Sequence, residues 1–113
     1  MQDKVLQLLG ICQRAGKVRS GTFLCTQALK AGQVYLVLLA ADAKGNTRHE
    51  LEEGCRARGV PLVTYGDKES LGHAMGKELR SCAAVTDEGL ARSLVREINS
   101  KQGERGQNVE ENQ

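Results

Sequence analysis

Aromatic side chains are almost missing from this sequence. Phe23, Tyr35 and Tyr65 are the whole complement, 3% of 113 residues, and there is no Trp. Readers of unpaired nucleic acid stack successive bases on aromatic platforms, so three scattered rings argue against a single-strand reader. Long apolar runs are missing too; none approaches the roughly 18 residues of a membrane span. The opening Met1-Gln2-Asp3-Lys4 carries an acid and leads into no long apolar region with a small-residue cleavage site. It does not fit a secretory signal, so a cytoplasmic chain without a membrane partner is expected.

Paired cysteines are also lacking. Cys12, Cys25, Cys55 and Cys82 make no C-x-x-C, and each sits among apolar neighbours, as in Cys82-Ala83-Ala84-Val85. Four buried free thiols are expected, rather than a zinc site or a disulfide framework.

Catalytic motifs are equally scarce. Gly72-His73-Ala74-Met75-Gly76-Lys77 has three residues between its glycines where a phosphate loop has four. Glu78 stands where Ser or Thr must hold the metal. The segment also closes a predicted helix, where carbonyls repel phosphate. No G-x-G-x-x-G follows a strand, His49 and His73 lack metal spacing, and no Ser or Cys has an evident base beside it. No catalytic residue, metal or cofactor is therefore assigned.

Charge is present and unevenly spread. The formal net charge is +2. Residues 1–50 carry seven bases (Lys4, Arg14, Lys17, Arg19, Lys30, Lys44, Arg48) against three acids, a net of +4. Residues 51–100 carry seven against eight, and the last thirteen two against three, each a net of −1. A basic half joined to a neutral one fits an anion-facing side, and equally a solvated surface with chance asymmetry.

Periodicity supplies the elements. Val5, Leu8, Leu9 and Cys12 recur at helical spacing over 3–14, with Gly16 at the C-terminal cap. Val18-Arg19-Ser20 is extended. Ser20-Gly21-Thr22 opens a second helix with Leu24, Cys25, Ala28 and Leu29 inward, stopping at Gly32. Residues 34–41 read as a strand buried on both faces. Asp42–Asn46 forms a loop, and Thr47 to Glu50 has capping-box spacing, starting a third helix that ends near Gly59. Val60–Tyr65 is the next strand, with Pro61 tolerated at its beginning. A fourth helix runs from Lys68 to Met75, closed by Gly76. Cys82–Thr86 is a short buried strand, and Asp87 caps a fifth helix carrying Leu90, Leu94 and Ile98. Helices alternating with strands imply a single α/β domain with helices on both faces of a mainly parallel sheet. Residues 1–100 form it; 101–113 read as a disordered polar tail.

Several strings, in this order, then point one way: Gln13-Arg14-Ala15-Gly16-Lys17, Lys17-Val18-Arg19-Ser20-Gly21-Thr22, Val34 to Ala41 followed by Asp42, Val60-Pro61, Leu71-Gly72, Gly76-Lys77-Glu78, Ala83-Ala84-Val85 and Thr86-Asp87-Glu88-Gly89. Across residues 3–99 the chain resembles the L-seven-Ae ribosomal-protein family, whose members bind kink-turn RNA, and is similar to its bacterial YlxQ-like branch. The resemblance implies a three-layer α/β/α sandwich around a mixed four-stranded sheet. It implies an RNA surface of two pieces: the start of the second helix, Gly21 to Gln27, and the loop before the last strand, Leu79-Arg80-Ser81. A helix start offers free N–H groups and a positive dipole end, Gly21 permits close backbone approach, and Lys17, Arg19 and Lys30 would add charge.

One departure is specific. The family's RNA-reading helix places Asn and Glu directly after Gly-x, and Lys three positions beyond the Glu; here those positions hold Phe23, Leu24 and Gln27. Losing polar contacts to base edges removes about 1–3 kcal/mol of discrimination each. Gly21, Thr22 and Gln27 carry over. Phe23 either stacks on a splayed base, meets a protein partner or packs internally; Leu24 has the helix core as its alternative, and Arg80 either contacts phosphate or is solvated. The expected function is a non-catalytic, monomeric protein recognising structured RNA, kink-turn or ribosomal, by shape and phosphate within a ribonucleoprotein. The rival is a protein-interaction adaptor of the same fold. An enzyme, or an accessory domain of an RNA-modifying enzyme, is the third class.

Overall fold

The computed structural model describes residues 3–104. Helix α1 spans Lys4–Arg14. Asp3 caps it, its Oδ1 accepting the Leu6 amide at 3.1 Å, and Val5, Leu9 and Cys12 are buried along one stripe. Gly16, at φ +75°, ends the helix. The Lys17 N–H reaches Cys12 C=O and the Gly16 N–H reaches Gln13 C=O, both at 3.0 Å, which satisfies carbonyls the helix leaves open.

Strand β1 (Val18–Ser20), helix α2 (Thr22–Lys30), strand β2 (Leu36–Leu39), helix α3 (Gly45–Arg58), strand β3 (Leu62–Thr64), helix α4 (Lys68–Ala74), strand β4 (Cys82–Val85) and helix α5 (Glu88–Glu104) follow. The strands form one sheet in the order β1-β4-β2-β3. β2 and β3 are parallel, Val37 opposite Leu62, while β4 runs antiparallel to both neighbours, Ser20 opposite Ala83 and Leu38 opposite Ala83. Helices α2 and α3 pack together on one face; α1 packs with α4 and α5 on the other.

The centre of the sheet is apolar on both faces. Every residue of β2 and β4 is buried, and the small side chains of Cys82, Ala83 and Ala84 let both helix layers approach. At roughly 25 cal/mol per Å², these strands and the Leu9, Leu29, Leu51, Leu71, Leu94 and Ile98 side chains around them form the chief stabilising mass. The edge strands are less enclosed, Arg19 and Thr64 being exposed.

Five expectations need correction. The mixed sheet implied by the resemblance is the one that forms; the mainly parallel sheet expected from element alternation gives way because β4 enters between β1 and β2 against their direction. The predicted strand at 34–41 shortens to Leu36–Leu39, with Tyr35 47% exposed. Leu24 is 42% exposed, since Cys25, Ala28 and Leu29 alone supply the inward stripe of α2. Thr47 does not cap α3. That helix starts at Gly45 behind Lys44 without a side-chain cap; Arg48 gathers the preceding turn instead, donating to the carbonyls of Ala43 (2.9 Å), Ala40 (3.3 Å) and Ala41 (3.4 Å). Finally, α5 continues through 101–104, where Lys101 binds Asp3 Oδ2 at 3.1 Å. The rest of the expected tail, 105–113, lies outside the described residues.

Candidate nucleic-acid interface

The reversed direction of β4 builds the site. Because β1 and β4 are antiparallel, the exit of β1 lies beside the entry of β4, and two segments some sixty residues apart in sequence meet. Gly21 leaves β1 at φ +93°, ψ 157°, a region in which side chains with a Cβ are strained. Its N–H donates to Cys82 C=O at 3.0 Å, and its C=O accepts the Cys25 N–H at 3.0 Å. The latter is the first intrahelical bond of α2. The amides of Thr22, Phe23 and Leu24 precede it. Gly21 provides no side-chain cap, and no acid sits in the first turn, so the positive end of α2 is left uncompensated.

The second segment is held by backbone bonds. Lys77 N–H donates to Gly72 C=O at 2.8 Å, Arg80 N–H to Lys68 C=O at 3.1 Å, and Ala40 N–H to Ser81 C=O at 2.8 Å. Gly72 is the seat: a Cβ there would fall 1.5 Å from the Glu78 carbonyl oxygen, so the loop lies on the bare backbone of α4. The Arg80 side chain then crosses Gly21, its Cδ 3.8 Å from where a Cβ would be, and its Nη1 donates to Leu79 C=O at 2.8 Å.

A shallow groove results, lined by Ser20, Gly21, Thr22, Phe23, Leu24, Leu79, Arg80 and Ser81. Seven of these were expected from sequence. Phe23 is 73% exposed, Leu79 62% and Leu24 42%, so three large apolar side chains share the groove with a single cation. Gln27 lies one turn further along the exposed stripe of α2. The expected ring of charge is not assembled around Gly21. Lys30 ends α2, roughly 12 Å from its start at about 1.5 Å per residue. Lys17 precedes β1 at its far end. Arg19 turns back, its Nη1 donating to Gly16 C=O (3.3 Å) and Val18 C=O (3.2 Å).

Sequence reasoning missed Ser20 and the positioning role of Gly72, although Leu71-Gly72 was among the strings carrying the resemblance. Beside the groove residues, Cys25 and Cys82 touch. Once deprotonated, Cys82 accepts a hydrogen bond from Cys25, which brings its thiol below its ordinary range, with Thr22 and the Gly21 amide assisting against burial. The Cys25 thiol is pushed up by that bond and by burial. Among the described residues, no group of three or more His, Cys, Asp or Glu side chains is placed to hold a metal ion, and no helix is long and apolar enough to cross a membrane.

Comparison with known proteins follows the same lines. The chain is 39% identical over 88 residues to the RNA-binding protein YlxQ of Bacillus subtilis (strain 168), covering 78% of this chain and 88% of that one. It superposes on a Bacillus halodurans protein of unknown function with a TM-score of 0.82 and 35% identity, covering 86% of this chain and 98% of that one. The Giardia lamblia 15.5kD RNA binding protein shares the fold, with a TM-score of 0.70 at 20% identity over 88% and 89% of the two chains. With the family model matching residues 3–95 and the mixed sheet and groove as described, the chain belongs to the ribosomal protein L7Ae/L30e/S12e/Gadd45 family.

Proposed function

We propose that this protein is a non-catalytic RNA-binding protein that docks a bent or kinked RNA duplex into the groove between the α2 start and the Leu79-Arg80-Ser81 loop, as part of a ribosome or another ribonucleoprotein. The observation that carries this reading is the convergence of an uncapped helix N-terminus, a glycine at φ +93° and Arg80 in one groove. Uncapped amides and the guanidinium suit a phosphate. Gly21 admits backbone closely, and exposed Phe23 and Leu79 suit the face of a base turned out of its stack. With few aromatics and little polar chemistry in the groove, recognition rests on shape and backbone rather than base edges.

The test is a gel shift comparing kink-turn RNA with a straight duplex at several salt concentrations. A preference of about tenfold or more, worth ~1.4 kcal/mol, is expected for the kinked RNA. Arg80→Ala is expected to weaken binding and lower the salt slope by about 1. Equal weak binding to both RNAs removes the kink-specific part; binding to neither removes RNA.

A second reading is favoured by one observation. Phe23, Leu24 and Leu79 form an exposed apolar cluster, the kind of patch that marks a protein partner. A Phe23→Ala variant that keeps RNA affinity but loses a co-purifying protein supports the adaptor.

A further inference from the structure

Two thiols lie beside the groove residues, outside its lining. Cys25, in the opening turns of α2, and Cys82, the first residue of β4, are each 0% exposed. Their Sγ atoms are 3.3 Å apart, joining positions 57 residues apart in sequence. No disulfide links them; all four cysteines are free. The contact is an ordered chain: Cys82 S–H donates to Cys25 Sγ, and Cys25 S–H donates to Arg19 C=O at 3.2 Å. The same two residues hold Gly21, whose N–H bonds Cys82 C=O and whose C=O accepts the Cys25 N–H. Cys55, buried on α3 in the same core, is the competing partner.

We propose that Cys25 and Cys82 are a redox-active dithiol that closes to an intramolecular disulfide and reshapes the start of α2. The oxidant is a low-molecular-weight disulfide. The Cys82 thiolate attacks one of its sulfurs, forming a mixed disulfide and releasing a small thiolate. Cys25, losing its proton, then attacks Cys82 Sγ and expels the second small thiolate. The two protons from the protein thiols end on the two released thiolates: two protein S–H bonds and one small-molecule S–S bond are replaced by one protein S–S bond and two small thiols.

When Cys82 gives up its proton, the Cys25 S–H turns from Arg19 C=O and donates to the new thiolate, which makes Cys82 the first to attack. Access comes from opening of the first turn of α2, which has no side-chain cap and carries exposed Phe23 and Leu24. Closure draws the sulfurs from 3.3 Å to about 2.0 Å. It also removes both S–H donors, so Arg19 C=O loses its thiol partner. The strain falls on Gly21 and the amides that follow it.

The test uses the reduced full chain incubated with oxidised glutathione, then alkylated in denaturant. The expected result is a mass lower by two hydrogen atoms before alkylation, two of the four thiols left to alkylate, and a peptide map joining Cys25 to Cys82. Dithiothreitol restores all four. Cys55→Ala keeps the reaction; Cys25→Ala and Cys82→Ala, checked for native far-UV circular dichroism, each abolish the joined peptide. Four thiols left unreacted, a stable glutathione adduct, a bond to Cys55 or Cys12, or a bond between chains overturns the proposal. Hydrogen exchange then reads the shape change. Amides of Gly21 to Leu24 are expected to change rate by about tenfold or more, a ~1.4 kcal/mol shift in local opening, with those of Tyr35 and Gly59 unchanged. A joined pair without that change overturns the reshaping. No readout contains RNA, so the outcome is independent of the function proposed above.

Discussion

Helices α2 and α4 start in opposite ways. At α4, Asp67 Oδ1 accepts the Ser70 N–H at 2.8 Å and Ser70 Oγ accepts the Asp67 N–H at 3.0 Å. Lys68 N–H donates to Asp42 Oδ1 at 3.0 Å, and Glu69 adds negative charge to the first turn. The backbone N–H and the Ser70 hydroxyl hold the Asp67 carboxyl below its usual range. At α2 the same position is Gly21, with no side-chain cap and no acid nearby in the first turn. A helix start whose donors are satisfied is a structural joint. One whose donors are left bare gives up that stability and keeps its affinity for an anion. The two starts are connected, since the α4 backbone at Gly72 seats the loop that brings Arg80 over Gly21.

The largest expected effect breaks that connection. Gly72→Ala places a methyl 1.5 Å from the Glu78 oxygen, forcing the loop off α4. A loss of about 3 kcal/mol or more is expected in denaturant unfolding, with weaker RNA binding in whatever folds. Gly21→Ala comes next. Space is not the obstacle, the nearest atom being Arg80 Cδ at 3.8 Å; φ +93° is. A cost of about 1–3 kcal/mol is expected, and an unchanged midpoint would mean that Gly21 is replaceable. Asp67→Ala tests the opposite start. It should lower the melting temperature by about 5 °C while leaving RNA affinity intact; equal damage to binding would erase the distinction between the two helix starts.

The smallest effect concerns a third start. Burial raises the Asp3 carboxyl, but hydrogen bonds from Tyr65, the Leu6 amide and Lys101 outweigh it and leave it lowered. A depressed folded value means stability that is present above the unfolded value and lost as pH falls through the folded one, in the range below 3.8. Asp67 titrates in the same sense. Melting measured from pH 6 downwards should therefore fall in the acid range. Asp3→Asn should flatten that fall and shift the neutral-pH melting temperature by only about 2 °C.

Much of this was legible in the sequence because it is local. The Val5, Leu9, Cys12 stripe, the glycine stops at Gly16, Gly32 and Gly59, and the Asp87 cap, whose Oδ2 accepts Leu90 N–H at 2.9 Å, depend on residues within a few positions. Leu24 was misplaced because periodicity gives the direction of a stripe and not its width: α2 rests on the sheet through three residues. Thr47 was misplaced because Arg48 bonds to carbonyls five to eight residues earlier, which no capping pattern encodes. The groove's two pieces were named by resemblance, while its electrostatics were not. Lys17 and Lys30 are near Gly21 in sequence but stand at the far ends of β1 and α2, and Arg19 folds back on Gly16 and Val18.

What the sequence determined by itself was the list of elements, the buried middle of the sheet, the absence of aromatic platforms and the family. Those follow from side-chain periodicity, from Gly and Asp at helix ends, and from motif order. Tertiary structure alone decided that β4 runs against its neighbours. Strand direction is set by which helices cover the sheet and how the α4 loop crosses its end, through contacts between residues dozens of positions apart. That single choice puts Arg80 over Gly21, Phe23 and Leu79 in one groove, and Cys82 against Cys25.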